Sequence, residues 1–352
     1  MTQMTGAQAL AQSIKQNGVD TIFGLPGVQL DPLFDAVYHE GDSLRLIHTR
    51  HEQGAAYMAF GYSQSTGRVG TCTVVPGPGL LNTSAALCTA YGCGAPVLCV
   101  TGQIPSRFIG KGYGQLHEIA DQMGTMSSVT KWQGRAKHPA EVPQLIRDAF
   151  NQLNTGRRRP VLVEMAPDIM AKTADVELLN PVSEFVELEP DLDLIEKAAA
   201  LLGNAENPAI FVGGGIYGAE DELLELAETI QAPVIMSQHG FGAVDWRHHL
   251  AQNMQASAEL WPKIDVALAV GTRFLMPMFD WGYDDKIKLI RVDPDAIQSI
   301  EPWKPDVHIV STGKKALGFL AERASWHNRK RKSCEDELNG LKKKWPRISR
   351  NN

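Results

Sequence analysis

The chain has 352 residues, 43% hydrophobic and 21% charged, the balance of an ordinary globular protein with a prior of about two to three domains. A net charge of -6 gives no electrostatic case for nucleic acid or an anionic membrane as partner, and no stretch offers the roughly 18 apolar residues of a membrane helix. Met1 to Lys15 lacks the apolar core of a signal peptide, so a cytoplasmic location is expected.

In chain order, Ala7, Leu10, Ala11 and Ile14 recur at helical spacing, and Asn17-Gly18 closes that helix before the strand Thr21-Ile22-Phe23. Phe23-Gly24-Leu25-Pro26-Gly27 then turns the chain, residues 30–38 read as a helix, and Leu44-Arg45-Leu46-Ile47 reads as a short buried strand. The next helix, residues 54–65, is rich in alanine and places Glu52 in its first turn. Such a glutamate has an ordinary reading, because it complements the helix dipole. Residues 69–75 form an apolar strand ending in Pro76-Gly77-Pro78-Gly79-Leu80-Leu81-Asn82, and residues 80–91 form a helix. Strands at 97–101 and 160–164 and a helix at 141–154 follow. Continuous apolar runs alternating with helices predict a doubly wound parallel sheet covered on both faces, with its ligand site at the strand C-terminal ends.

After Asp168 the pattern lapses, and Pro181, Glu184, Glu187, Glu189 and Pro190 mark a connection over residues 173–190 between a first domain, 1–172, and a second, 191–325. The second repeats the α/β pattern, with helices at 191–202 and 220–230 and strands at 209–212, 234–236, 266–270 and 289–292. Two doubly wound parallel-sheet domains are therefore expected. Its Gly213-Gly214-Gly215-Ile216-Tyr217-Gly218 fits the G-x-G-x-x-G of a dinucleotide turn, which would make a nicotinamide oxidoreductase. The following strand ends Met236-Ser237-Gln238, without the acid that grips a ribose. Residues 326–352 read as a basic tail with a solvated helix face. Of the five cysteines, Cys72 and Cys99 lie in strand patterns and Cys88 and Cys93 near a helix end, with no C-x-x-C spacing, so neither metal nor disulfide is expected.

Several of these motifs occur together and in order: the G-x-P-G turn at Gly24, Arg50-His51-Glu52-Gln53 leading into Ala55-Ala56 and Gly61-Tyr62, the G-P-G-x-x-N turn from Gly77 to Asn82, and Thr101-Gly102-Gln103-Ile104-Pro105 leading to Gln115. Val161-Leu162-Val163-Glu164-Met165-Ala166-Pro167-Asp168 closes the series. In this the chain resembles the pyrimidine-binding domain of thiamine-diphosphate enzymes of the acetolactate synthase and benzoylformate decarboxylase superfamily. Gly271-Thr272-Arg273-Phe274 and Val292-Asp293-Pro294 resemble the family's central, Rossmann-like domain. The resemblance implies 2-oxo acid decarboxylation or carboligation on thiamine diphosphate. Glu52 would hydrogen-bond the aminopyrimidine N1′ atom, with Gly24, Pro26, Gly77, Pro78 and Asn82 holding the ring. Gln115 would reach the reaction centre. A homodimer or homotetramer is implied, because the family's sites form between the first domain of one subunit and a diphosphate-binding domain of another.

Three departures qualify these expectations. Where acetolactate synthases carry Phe-Gln-Glu, this chain has Gly114-Gln115-Leu116-His117-Glu118, which removes an aromatic wall and makes His117 a candidate acid/base group. Leu275-Met276-Pro277-Met278 replaces the charged residues that help hold flavin, so FAD is not carried over. No Gly-Asp-Gly occurs, so Mg2+ and the diphosphate are expected to be bound by a further domain or a separate diphosphate-binding subunit, without which the chain would be inactive. The alternative is a non-catalytic binding or regulatory subunit that keeps the fold.

Overall fold

A computed structural model of the chain describes residues 1–182, 185, 188–282, 286–296 and 303–346. They divide into two compact units, Met1–Val186 and Glu187–Asn352.

The first unit runs β1 (Thr2–Thr5), α1 (Gly6–Gln16), β2 (Thr21–Gly24), α2 (Asp31–His39), β3 (Arg45–His48), α3 (Glu52–Thr66), β4 (Gly70–Val74) and α4 (Pro78–Cys93). It continues through β5 (Val97–Gly102), α5 (Gln122–Met126), β6 (Trp132–Ala136), α6 (Val142–Asn154), β7 (Val161–Met165), α7 (Pro167–Ala171) and β8 (Thr173–Val176). Six strands form one parallel sheet in the order β3-β2-β4-β5-β7-β6. Strands β4, β5 and β7 are buried along their whole length, as strands of a parallel sheet covered on both faces are.

The chain leaves β2 for β3 on one side and returns through α3 to β4 on the other. That reversal opens a crevice at the C-terminal ends of β2 and β4, where this architecture binds ligands. Helix α3 packs Ala55, Ala56 and Ala59, each at most 1% exposed, so that its backbone lies close to the sheet.

Residues 173–176, expected to begin the connection, are instead a strand. Strand β8 pairs antiparallel with β1 in a two-stranded ribbon, reinforced by Gln3 Nε2 donating to Asp175 Oδ1 at 2.7 Å. Backbone pairing and polar side chains make this ribbon, so it carries no apolar periodicity to read. Pro181, Glu189 and Pro190 lie outside regular structure, while Glu184 and Glu187 fall outside the described residues. All five cysteines are free thiols. Cys72 on β4 lies in register with Cys99 on β5. Its hydrogen bond to Cys99, and then burial, push the Cys72 thiol well above the usual thiol range.

The second unit contains α8 (Leu192–Asn204), β9 (Pro208–Val212), α9 (Glu220–Ile230), β10 (Val234–Met236), β11 (Ala251–Asn253), α10 (Met254–Leu260), β12 (Val266–Val270) and α11 (Leu275–Phe279). After these come β13 (Lys288–Val292), β14 (Val307–Ile309), α12 (Gly313–His327) and α13 (Glu335–Lys344). Its six strands are parallel in the order β11-β10-β9-β12-β13-β14. Both domains are thus doubly wound α/β folds. The glycine-rich turn after β9 packs directly on the loop after β12. A Cβ on Gly215 would lie 2.7 Å from the Cα of Gly271, so contact between two backbones already accounts for a glycine there.

Residues 326–344 are not a free basic tail. Arg331 caps the end of α8, its Nε donating to the Ala205 carbonyl at 2.9 Å and its Nη2 to those of Leu202 and Gly203 at 2.8 Å each. Helix α13 buries Leu338, and Lys342 Nζ donates to the carbonyls of Trp246, at 2.7 Å, and His248. The solvated helix face expected here is present, since Glu335, Asp336, Glu337, Lys343 and Lys344 of α13 are exposed; what composition did not report is that Arg331 and Lys342 are bound to carbonyls far away in sequence. Among the described residues, no helix is long and apolar enough to cross a membrane.

Candidate active site

The β2–β4 crevice gathers three turns. The first follows β2, where Leu25 N donates to Thr73 O at 3.2 Å and leaves Pro26 exposed. The second links β3 to α3. Thr49 N donates to Gly24 O at 2.9 Å, and His51 caps α3, its Nδ1 accepting from Gln53 N at 3.1 Å. That cap sets Glu52 as the first helical residue, half-exposed at the positive end of the helix dipole.

The third turn, Val75 to Gly79, lies against it. Asn82, one turn into α4, donates from Nδ2 to Glu52 Oε2 at 3.0 Å. The other oxygen, Oε1, makes no hydrogen bond among the described residues. A Cβ on Gly79 would sit 2.5 Å from Val75 Cγ2 and 3.4 Å from Glu52 Oε1. Glycine there lets α4 start directly against the Val75 side chain.

Gly77 is the most constrained residue of the set. Its φ of 57° and ψ of -119° suit glycine alone, and a Cβ would fall 2.3 Å from the carbonyl oxygen of His117. Its amide donates to Gln122 Oε1 at 2.9 Å. Gln122 Nε2 in turn donates to Gly102 O at 3.0 Å and to Glu164 Oε2 at 2.8 Å. Glu164 is wholly buried on β7 and pairs through Oε1 with Arg135 Nε on β6. Every polar atom named in this chain is satisfied, which is what makes a buried network rigid. We predict that Gly77→Ala lowers the stability of the first unit by about 1–3 kcal/mol from backbone strain alone, with the overlap on His117 adding to it. Urea unfolding, with hydrogen exchange in residues 76–82 and 112–118 as the local readout, checks this; unchanged exchange in both segments contradicts it.

The 112–118 loop covers this turn. Glu118 accepts from Gly112 N at 3.0 Å and Gln115 N at 2.8 Å. Gln29, 7% exposed, donates from Nε2 to Leu116 O at 3.1 Å, while its Oε1 lies 3.0 Å from His117 Nδ1. Asp168 anchors the preceding segment, its Oδ1 accepting from Ser106 N at 2.8 Å.

Thus the structure brings Gly24, Pro26, Glu52, Gly77, Pro78 and Asn82 to one crevice. Gln115 sits on the covering loop with its backbone N–H and carbonyl both hydrogen-bonded to Glu118, while its side-chain amide makes no hydrogen bond among the described residues. Gln29, Gln122, Glu164 and Arg135 were not singled out from the sequence. One signal was available: a carboxylate inside the apolar run Val161-Leu162-Val163-Glu164-Met165 must find a partner. Among the described residues, no three His, Cys, Asp or Glu side chains gather where they could hold a metal.

Comparison with known proteins matches this same region. Residues 4–125 fit the thiamine pyrophosphate enzyme N-terminal TPP binding domain, and residues 195–320 fit the thiamine pyrophosphate enzyme central domain. The chain belongs to the thiamine pyrophosphate enzymes. It is 34% identical to a probable acetolactate synthase large subunit of Methanocaldococcus jannaschii over 334 residues, which cover 90% of this chain and 56% of that protein. A probable 2-ketoarginine decarboxylase of Pseudomonas aeruginosa is 34% identical over 329 residues, 91% of this chain and 58% of that protein. The acetolactate synthase large subunit of Corynebacterium glutamicum is 31% identical over 368 residues, 98% and 57% respectively. The chain therefore spans little more than half the length of these relatives. All the crevice residues named from the sequence lie within the matched N-terminal domain.

Proposed function

We propose that the first unit is the pyrimidine-binding half of a thiamine-diphosphate site that decarboxylates or ligates 2-oxo acids, as acetolactate synthases do. The observation that carries this reading is the Glu52 carboxylate, held by Asn82 on one oxygen and left open on the other beside a glycine turn. The residues present fit the cofactor's aminopyrimidine. Glu52 Oε1, which makes no hydrogen bond among the described residues, would share a proton with N1′, with the Pro26 and Pro78 turns beside it. Thiamine diphosphate supplies, when bound, the carbon that adds to the 2-oxo acid carbonyl and takes up the electrons released with CO2.

Mg2+ and the diphosphate would be held by a diphosphate-binding domain, elsewhere in a longer protein or on another chain. Tyr57, Met58 and Leu81, 40%, 41% and 38% exposed, form an apolar surface on α3 and α4 beside Glu52, suited to such a domain from a second copy. In this reading the protein works as a homodimer or homotetramer.

The test is to assay these residues together with a domain bearing Gly-Asp-Gly, in frame or supplied in trans. Saturable thiamine-diphosphate binding and CO2 release from pyruvate or another 2-oxo acid are expected. Binding without turnover across a panel of 2-oxo acids would favour a regulatory subunit instead.

A further inference from the structure

The second unit has a cavity that shares no residue with the Glu52 crevice. Between α12 and α13 the chain crosses residues 328–334 without regular structure, and behind this strap lies a cavity of about 430 Å³. That volume falls within the roughly 300–1,000 Å³ of small-molecule sites. It lies at the starts of β9, β10 and β12, the opposite end of the sheet from the one where a doubly wound fold binds nucleotides. Pro208, Pro233, Leu260, Ile264 and Leu338 give it an apolar floor.

Its charges do not balance. Five cations line the cavity, Lys263 and the run from Arg329 to Lys332, against two carboxylates, Glu206 and Glu337. Both carboxylates are already engaged: Lys263 Nζ donates to Glu337 Oε1 at 2.6 Å, and Arg329 Nη1 donates to Glu206 Oε1 at 3.3 Å. Arg331 is held by the carbonyls at the end of α8, and burial, followed by the charge of Arg329, pushes its guanidinium below the ordinary range. Lys330 and Lys332 make no hydrogen bond or ion pair among the described residues. Glu335 and Asp336, in the first turn of α13, do not line the cavity. The strap itself is fixed, with Arg329 N donating to Gly203 O at 2.9 Å and Cys334 Sγ 3.6 Å from Gln231 O. The two lysines therefore stand on a backbone that needs no ordering when a ligand binds.

We propose that this cavity binds a small phosphate monoester, its dianion held by Lys330 and Lys332 and its hydrocarbon part on the apolar floor. The uncompensated cations suit a dianion, and the floor selects an ester over free phosphate. The chain's net charge of -6 opposes a general attraction of anions, so binding is confined to this cluster.

Titration of the 15N-labelled 352-residue chain with phenyl phosphate, followed by 1H–15N correlation, tests this. Saturable shifts are expected at residues 206–207, 231–232 and 329–338, with a Kd below about 1 mM and with inorganic phosphate at least about tenfold weaker. Lys330→Ala combined with Lys332→Ala, both at exposed positions, should weaken phenyl phosphate by about tenfold or more. Lys343→Ala combined with Lys344→Ala removes the same charge from α13 and should change binding by less than about twofold. The absence of saturable shifts in these segments up to about 10 mM, equal loss in both variants, or inorganic phosphate binding as tightly as the ester, each overturns the proposal.

Discussion

Replacing Glu52 by glutamine should lower 2-oxo acid turnover by about 10²–10⁴, the usual contribution of a positioned acid/base group, in the protein assembled with its diphosphate-binding domain. The substitution is nearly isosteric. Glutamine's carbonyl oxygen can still accept the hydrogen bond that Asn82 Nδ2 makes to Glu52 Oε2 at 3.0 Å, so the contact between α3 and α4 survives. The amide cannot exchange a proton. Removing a first-turn charge from a half-exposed position forfeits about 0.3–1 kcal/mol of dipole interaction, too little to unfold the unit. Steady-state CO2 release, with circular dichroism on the same samples, separates lost chemistry from lost fold. Turnover within about tenfold of the unmodified enzyme would show that the carboxylate is a helix cap and no more.

Arg135→Met should destabilise the first unit by about 3–5 kcal/mol, because it strips the countercharge from a carboxylate that water cannot reach. Glu164 is 0% exposed; its Oε1 pairs with Arg135 and its Oε2 accepts from Gln122. The same change reaches the crevice, since Gln122 Oε1 is what receives the Gly77 amide. Adding Glu164→Gln removes the charge as well as its partner, and the double variant should recover most of the loss, since a buried pair replaced whole is often neutral. Urea unfolding of the three variants measures this. A single-variant effect below about 1 kcal/mol would mean that the half-buried guanidinium is screened by solvent and adds little.

These two sites also separate what was legible in the chain from what was not. Glu52 could be placed in a first helical turn at a strand end, because apolar runs and turn residues report local geometry directly. Glu164 was visible only as a misfit within an apolar run, and the partner that explains it stands on β6, whose sequence Trp-Gln-Gly-Arg-Ala shows no clean strand pattern. The β1–β8 ribbon and the anchoring of segment 326–344 by Arg331 and Lys342 escaped for the same reason: they are made by backbone pairing and by cations bound to distant carbonyls. Gln115 and His117 show the limit most closely. Two residues apart on one loop, they are equivalent as letters, and only the position of Gln29, 88 residues from His117, distinguishes them.

By itself, then, the sequence determined two parallel α/β domains, the three turns of the crevice and membership in the thiamine pyrophosphate enzymes, because periodicity, glycine and proline act within a few residues of where they stand. Only the tertiary structure decided which polar side chains meet. A hydrogen bond is a short-range contact, and its partners here are brought together by the order in which the strands cross the sheet rather than by their spacing along the chain.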